Sequence, residues 1–290
     1  MIDYARTKAW QSGEIRQTYS ARDTILYALG LGLGSDPTNE QQLQYVYEKN
    51  LAALPTMAAV LASPGAWMRD RKELGIDFLK LVHGEQVVTL HQPLAVAGTV
   101  VGESRVIRIV DKGEGKGAIL HVEKNLKDAV NGGLVATAEQ VLFLRGDGGF
   151  SGGSGGDPPA PASPSVPERA ADAMLECPTR PEAALVYRLS GDLNPLHVEP
   201  TIAAKAGFLR PILHGLATWG MAGRGILQLC ASDQPARLRE IRARLTSPVY
   251  PGETLVLECW HTGIETVAFR VKLKERDVIA LNNGFARITA

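Results

Sequence analysis

Apolar positions recur in two similar successions along the chain, each with helical spacing first and strand-like alternation last. In the first, residues 23–31 (DTILYALGL) and 40–49 carry helical spacing, and strand-like runs follow at 86–91, 99–110, 118–123 and 135–144. In the second, Thr179, Pro181 and Glu182 read as a capping box that opens a helix. A longer helix is expected over 215–230. In the strand expected over 266–274, Val267, Phe269, Val271 and Leu273 face one way and Arg270, Lys272 and Lys274 the other. Ile241, Ala243 and Leu245 alternate with Arg242 and Arg244 in the same manner. Each pattern describes a sheet with one covered face and one wet face.

The element that covers it stands out by its charge. Arg224 is the only formal charge over residues 211–231, so the helix there is apolar nearly all round and should be buried. It also carries Gly215, Gly220, Gly223 and Gly225, each costing a helix roughly 1 kcal/mol relative to alanine. That cost is expected where backbones approach closely. A glycine-rich apolar helix wrapped by a curved antiparallel sheet describes a hot-dog arrangement. The segment Pro93 to Gly98 introduces one strand, and Pro248 to Gly252 introduces its counterpart in the second half. The expected fold is therefore α+β, a double hot-dog of two repeats. The run GDGGFSGGSGGDPPAPASPSVP, from 146 to 167, is too poor in apolar groups to offset the entropy of ordering it, and reads as a flexible linker. The expected organisation is a degenerate N-terminal half over 1–145, a linker over 146–168 and a catalytic C-terminal half over 169–290.

Composition narrows the function classes. The 290 residues are 45% hydrophobic and 21% charged with zero formal net charge, which argues against a long nucleic-acid footprint. Cys177, Cys230 and Cys259 are scattered without a CxxC pair and read as small buried hydrophobes in a reducing compartment. No basic segment followed by an apolar run opens the chain, and no uncharged apolar stretch reaches the ~18–20 residues of a membrane span. The expectation is a soluble intracellular protein, cytoplasmic or peroxisomal, although the ending Arg287-Ile288-Thr289-Ala290 is not a Ser-Lys-Leu address. Gly30-Leu31-Gly32-Leu33-Gly34 follows a helical pattern rather than a strand, so it is not read as a dinucleotide loop. The six histidines show no metal-ligand spacing and no GxSxG occurs; no metal and no redox cofactor are expected.

The densest chemistry lies in Ser190-Gly191-Asp192-Leu193-Asn194-Pro195-Leu196-His197. Asn194-Pro195 forces a turn that can bring Asp192 and His197 together around one water. Addition of water to a conjugated double bond needs such a pair: one group takes a proton from the attacking water, and a donor supplies one to the α-carbon. Taken alone, an Asp/Asn/Pro cluster is more often a surface turn. The second piece is His214-Gly215 at the start of the buried helix. The free N–H groups of a helix N-terminus favour developing negative charge, so the Gly215 N–H can act as an oxyanion donor. The alternative role for Gly215 is helix–sheet packing.

YRLSGDLNPLHVEP followed by GFLRPILHGLATWG resembles the signature of (R)-specific enoyl-CoA hydratases, the hydratase 2 or MaoC-like type, as found in the hydratase part of the peroxisomal multifunctional enzyme. ILYALGLG, YVYEKN, LPT, LVHGEQ and VDKGEGKGA extend the resemblance through the N-terminal half, to the longer members with two hot-dog repeats. The resemblance implies Asp192 and His197 as the catalytic pair, support from Asn194, and a Gly215 N–H that polarises the thioester. It implies a role in activity for Glu48. His83, Gly84, Lys112, Leu193, Pro195, Leu196 and Leu245 match positions that contact the acyl-CoA, with Leu245 standing where some members carry phenylalanine. CoA is then part of the substrate, and a homodimer is implied. The N-terminal half has no DxNPxH, so one site per chain is expected. An acyl-carrier-protein dehydratase, an acyl-CoA thioesterase and a non-catalytic acyl-CoA binder are the competing readings.

Overall fold

Ten strands form one continuous antiparallel sheet in the computed structural model, which describes residues 2–153 and 155–289. Met1, Ser154 and Ala290, included in the expected boundaries, lie outside the described residues. In chain order the first half contains α1 (Tyr4–Lys8), β1 (Gln11–Tyr19), α2 (Ala21–Gly30), α3 (Glu40–Val46), β2 (Leu81–Leu90), β3 (Gly98–Asp111), β4 (Ala118–Asp128) and β5 (Leu134–Leu144). The second contains β6 (Ala173–Pro178), α4 (Ala183–Tyr187), α5 (Pro200–Lys205), α6 (Gly215–Cys230), β7 (Leu238–Leu245), β8 (Thr254–His261), β9 (Thr266–Leu273) and β10 (Val278–Ile288).

The strand order is β1-β3-β4-β5-β2-β7-β10-β9-β8-β6. Outward from the centre, each half presents its second, fifth, fourth, third and first strand. The topology is that of a duplicated unit, the double hot-dog read from the sequence. The halves join where β2 pairs with β7, with Glu85 opposite Arg244 and Thr89 opposite Glu240. One face of the sheet is covered. Val267, Phe269, Val271 and Leu273 are at most 2% exposed and face the core, while Arg270 and Lys272 pair with Glu258 on the other face.

Helix α6 lies in that core with residues on every side buried, and its glycines are where other elements press against it. A Cβ on Gly220 would sit 2.9 Å from Leu31, and one on Gly223 would sit 2.5 Å from Thr56. Both contacts come from the first half, so they fasten it to the second. Arg224 adds a hydrogen bond from its guanidinium to the Leu31 carbonyl just past α2. The glycine run 30–34 ends α2: Gly32 and Gly34 take left-handed φ of 79° and 77°, and Leu33 N–H reaches back to the Ala28 carbonyl.

The first half has no counterpart of α6 in length. Between α3 and β2 the described residues form only 3-10 turns, of which the first, Pro55–Ala59, is fully buried. Its exit is held by Lys124 of β4, 5% exposed, whose ammonium donates to the carbonyls of Ala58, Ala59 and Leu61. A cation at the carbonyl end of a helical turn is favourable. Lys124→Met keeps most of the apolar stem and removes the donor, so it should lower unfolding free energy in urea by about 1–3 kcal/mol.

Three expectations are corrected. Thr179 and Glu182 form no capping box: α4 begins at Ala183, while Thr179 donates to the Glu253 carbonyl and accepts from Gly252 N–H. The loop before β8 competes successfully for that hydroxyl. The helix expected over 40–49 stops at Val46, where Tyr47 turns extended. The third concerns the segment read as a flexible linker. It is a strap laid across the protein by polar contacts. Asp157 accepts from Tyr4, Lys8 and Ile109 N–H, Arg108 donates to the Pro158 carbonyl, and Ser163 donates to Glu85. Cys177 and Cys259 are buried as expected and Cys230 is partly so.

Candidate active site

Asp192 and His197 meet across the turn that the sequence places between them. Gly191 takes φ 119° after α4 and its 3-10 extension, releasing the chain from the helix. Asn194 then caps a short turn, Pro195–His197, by accepting from Leu196 N–H at 3.1 Å, while its own N–H donates to the Asp192 carboxylate at 3.1 Å. Asn194 thus shapes the loop that carries the pair. His197 Nε2 stands 4.0 Å from Asp192 Oδ2. That is too long for a direct hydrogen bond, and it suits one water held by both groups.

The hydrogen bonds settle which nitrogens are free. His197 Nδ1 faces the Ile212 carbonyl at 2.8 Å and must donate to it, leaving a lone pair on Nε2 toward Asp192. His214 Nε2 faces the Asp192 backbone carbonyl at 3.1 Å and donates in turn, leaving the lone pair on Nδ1. The two rings stack with centroids 3.7 Å apart and planes 27° from parallel. Tyr187 lies 5.1 Å beyond His214, and Tyr27 of the first half 6.0 Å beyond Tyr187. His214 therefore holds both members of the pair, one by its backbone and one by its ring. Sequence reasoning singled out His214 only as the residue before Gly215; its place in LHG was the available signal.

Gly215 is the first residue of α6, where the N–H has no intrahelical acceptor. A Cβ there would sit 2.2 Å from Leu245 Cδ2, so a larger residue would have to displace the end of that side chain, and glycine lets Leu245 lie against the helix start. Leu245 and Gly215 form one contact, as the sequence placed them in one site. Leu193 is exposed on the loop that carries Asp192.

The first half contributes through β2. His83 donates from Nε2 to the Glu85 carbonyl at 3.1 Å, across the bulge that includes Gly84. The charge of Asp192 acts on it, so strand β2 of one half lies near the Asp192 loop of the other. Lys112 is exposed just past β3, at the same rim of the sheet. His83 is opposite Leu142, Leu142 opposite Leu120, and Leu120 opposite Ile109, so Lys112 lies four strands from Leu245. At about 4.8 Å per strand that is about 19 Å along the rim.

Glu48 is not brought to the site. It is exposed two residues past α3, and its neighbours Gln44 and Tyr45 bond to the Asp233 carbonyl beyond the C-terminus of α6. Gly215 is at the other end of that helix, about 24 Å away for sixteen residues. A role for Glu48 in the chemistry is corrected on that ground.

Burial depresses all three histidines. His83 and His214 are brought down to about 4, the latter also by the charge of His197, and His197 is lowered in the same direction. All are therefore neutral bases at neutral pH. An unfolded chain protonates these rings near their ordinary value of about 6.5, and the folded one does so only below it. Stability should then fall as pH drops from 6.5 toward 4, by at most about 1.4 kcal/mol per unit for each group. Melting temperatures across that window check this; a flat profile contradicts it.

Comparison with known proteins shows the family and the fold. A model of the MaoC like domain matches residues 163–283, and a model of the MFE-2 hydratase 2 N-terminal domain matches residues 17–146. The 3-hydroxyacyl-thioester dehydratase Y of Mycobacterium tuberculosis is 41% identical over 89% of this chain and 88% of its own. The peroxisomal enoyl-CoA hydratase 2 of Arabidopsis thaliana is 36% identical over 92% and 90%. A crystal structure of a MaoC-like dehydratase from Phytophthora capsici superposes with a TM-score of 0.85 at 31% identity, covering 99% of both chains. The fold alone is shared with a 17% identical Mycobacterium tuberculosis protein described as a double hotdog, at a TM-score of 0.56. The chain belongs to the MaoC-like, hydratase 2 family.

Proposed function

We propose that the protein is an (R)-specific enoyl-CoA hydratase, adding water reversibly to trans-2-enoyl-CoA to give (3R)-3-hydroxyacyl-CoA in fatty acid metabolism. The observation that carries this reading is the 4.0 Å gap between the His197 Nε2 lone pair and the Asp192 carboxylate, beside the free N–H of Gly215. Water held by Asp192 and His197 attacks the β-carbon. One of the two groups takes its proton, and the pair returns a proton to the α-carbon. The thioester oxygen gains charge as the carbon–oxygen bond forms, and the Gly215 N–H at the positive end of α6 stabilises it.

The rim supports a CoA ester as substrate. A thioester carbonyl at Gly215 and a phosphate at Lys112 would lie four strands apart, on the order of 20 Å, a span that the extended arm of CoA can cover. His83 and Gly84 lie between them, and Leu193, Pro195 and Leu196 wall the loop side. No redox or metal cofactor has a part in these steps, so hydration should survive EDTA. No helix of the described residues is long and apolar enough to cross a membrane. Residence in the cytoplasm or peroxisome and assembly as a homodimer complete the reading; sedimentation of the purified chain tests the latter.

The test follows the conjugated thioester of a trans-2-enoyl-CoA by ultraviolet absorbance. Loss of that signal with no free thiol released is expected. Release of CoA thiol would instead make the protein a thioesterase, and saturable binding without turnover would make it an acyl-CoA binder. Because His197 acts as a neutral base with a lowered pKa, the acid limb of kcat/KM should lie below the ordinary histidine value of about 6.5. A limb above 6.5 contradicts that role.

A further inference from the structure

The turn between β3 and β4 is held more firmly than an exposed hairpin requires. Lys112 N–H donates to the Gly117 carbonyl and Lys116 N–H to the Gly113 carbonyl, each at 3.0 Å. Asp111 ties this turn to the start of the strap. Its carboxylate accepts from Gly113 N–H at 2.8 Å, from Gly149 N–H at 2.7 Å, and from the N–H and hydroxyl of Ser151 at 2.8 and 2.7 Å. A Cβ on Gly148 would sit 2.2 Å from the Gly113 carbonyl oxygen, so only glycine lets the strap lie this close to the hairpin. The glycine-rich run thus braces one turn. What the brace holds is positive. Lys112 and Lys116 are exposed on the turn, and Arg145 is exposed beside it, its Cα 3.1 Å from where a Cβ on Gly117 would be. None of these three side chains forms a hydrogen bond or ion pair among the described residues. Of the acids nearby, Asp111 is saturated by the strap, Asp77 pairs with Lys80 at 3.2 Å, Asp147 is buried, and Glu114 is exposed at the tip.

We propose that Lys116 and Arg145, together with Lys112, clamp the phosphorylated nucleotide end of CoA and so make the protein prefer a CoA thioester to the same acyl group on a carrier protein. The inference rests on the CoA-ester reading and adds the residues that select the carrier. Along the strand order β7-β2-β5-β4-β3, Arg145 follows β5, two strands from Leu245 beside Gly215, and the turn stands three to four strands away. At about 4.8 Å per strand those distances are about 10 Å and about 14–19 Å. A ligand running out along the rim from Gly215 therefore meets Arg145 before the turn lysines. The diphosphate precedes the 3′-phosphate along CoA in the same order. Arginine suits the paired oxygens of the diphosphate, and lysines meet the 3′-phosphate as point charges. That 3′-phosphate is the group a carrier protein's phosphopantetheine lacks.

Binding is measured without turnover, so it stands apart from the hydratase reading. The full chain is titrated calorimetrically with CoA and with 3′-dephospho-CoA. Loss of the 3′-phosphate should weaken binding about five- to twentyfold, the range between an exposed ion pair and a charged hydrogen bond. In Lys116→Ala that ratio should fall to about twofold or less, and Lys116→Arg should restore it. Arg145→Ala should weaken both ligands together. A merely structural lysine would weaken both ligands alike and leave the ratio standing. With trans-2-enoyl thioesters, removing the 3′-phosphate should raise KM with little change in kcat, and an enoyl carrier protein should show kcat/KM at least about tenfold below enoyl-CoA. Equal binding of CoA and 3′-dephospho-CoA, a ratio undiminished in Lys116→Ala, or a carrier-protein thioester used as well as enoyl-CoA would each overturn the proposal. A chain that tells the two ligands apart through Lys116 yet hydrates no enoyl thioester would overturn the hydratase reading and leave the clamp in place.

Discussion

Replacing His197 by glutamine should slow hydration by about 10²–10⁴-fold with little change in melting temperature. Glutamine fills a similar volume but no longer offers a nitrogen that can take a proton. Asp192→Asn should cost a similar factor, because the amide still holds the turn through the Asn194 N–H and has lost its charge. The two groups act on one water, so their effects should not multiply: the double variant should be no more than a few-fold slower than the worse single one. Steady-state rates at saturating substrate check this. Effects that multiply fully would mean that Asp192 and His197 serve separate steps, and the shared-water account fails.

The second large effect is at Gly215. In Gly215→Ala the added Cβ would overlap Leu245 Cδ2, so either Leu245 is turned into the substrate side or the first turn of α6 moves off β7. Misplacing a single oxyanion donor costs on the order of 10²–10³ in kcat, and a loss of that size is expected. The contact also suggests its own rescue. Gly215→Ala combined with Leu245→Ala removes the overlap, and kcat should recover at least tenfold over Gly215→Ala alone. A double variant as slow as the single one would show that the helix start was not displaced by packing. Loss confined to KM would remove Gly215 from transition-state stabilisation altogether.

Much of the site was legible because it is local. Gly191, Asn194 and Pro195 dictate the turn that brings Asp192 and His197 to one loop, and His214 and the Ile212 carbonyl then hold the pair in place. Helix α6 was legible from its single charge, Arg224, and its glycines. Strand β1 escaped notice because it is an edge strand: QSGEIRQTY shows no alternation when only Tyr19 is buried. The strap was misread for a related reason. Composition measures how much apolar surface a segment can bury, and the strap is held by polar partners up to ~150 residues distant, such as Tyr4 and Lys8 on Asp157. Glu48 was misplaced because motif likeness carries no distance. The stacking of His214 on His197 needed the tertiary fold, since sixteen residues and helix α5 intervene.

The measurement that bears most directly on the central claim is the configuration of the product. Purified protein with EDTA and a trans-2-enoyl-CoA is run to equilibrium, the thioester is hydrolysed, and the hydroxy acid is resolved on a chiral column. The account predicts the (3R) acid alone, formed at a rate that collapses in His197→Gln. The (3S) acid, a racemate, or (3R) product at an undiminished rate in His197→Gln would contradict it.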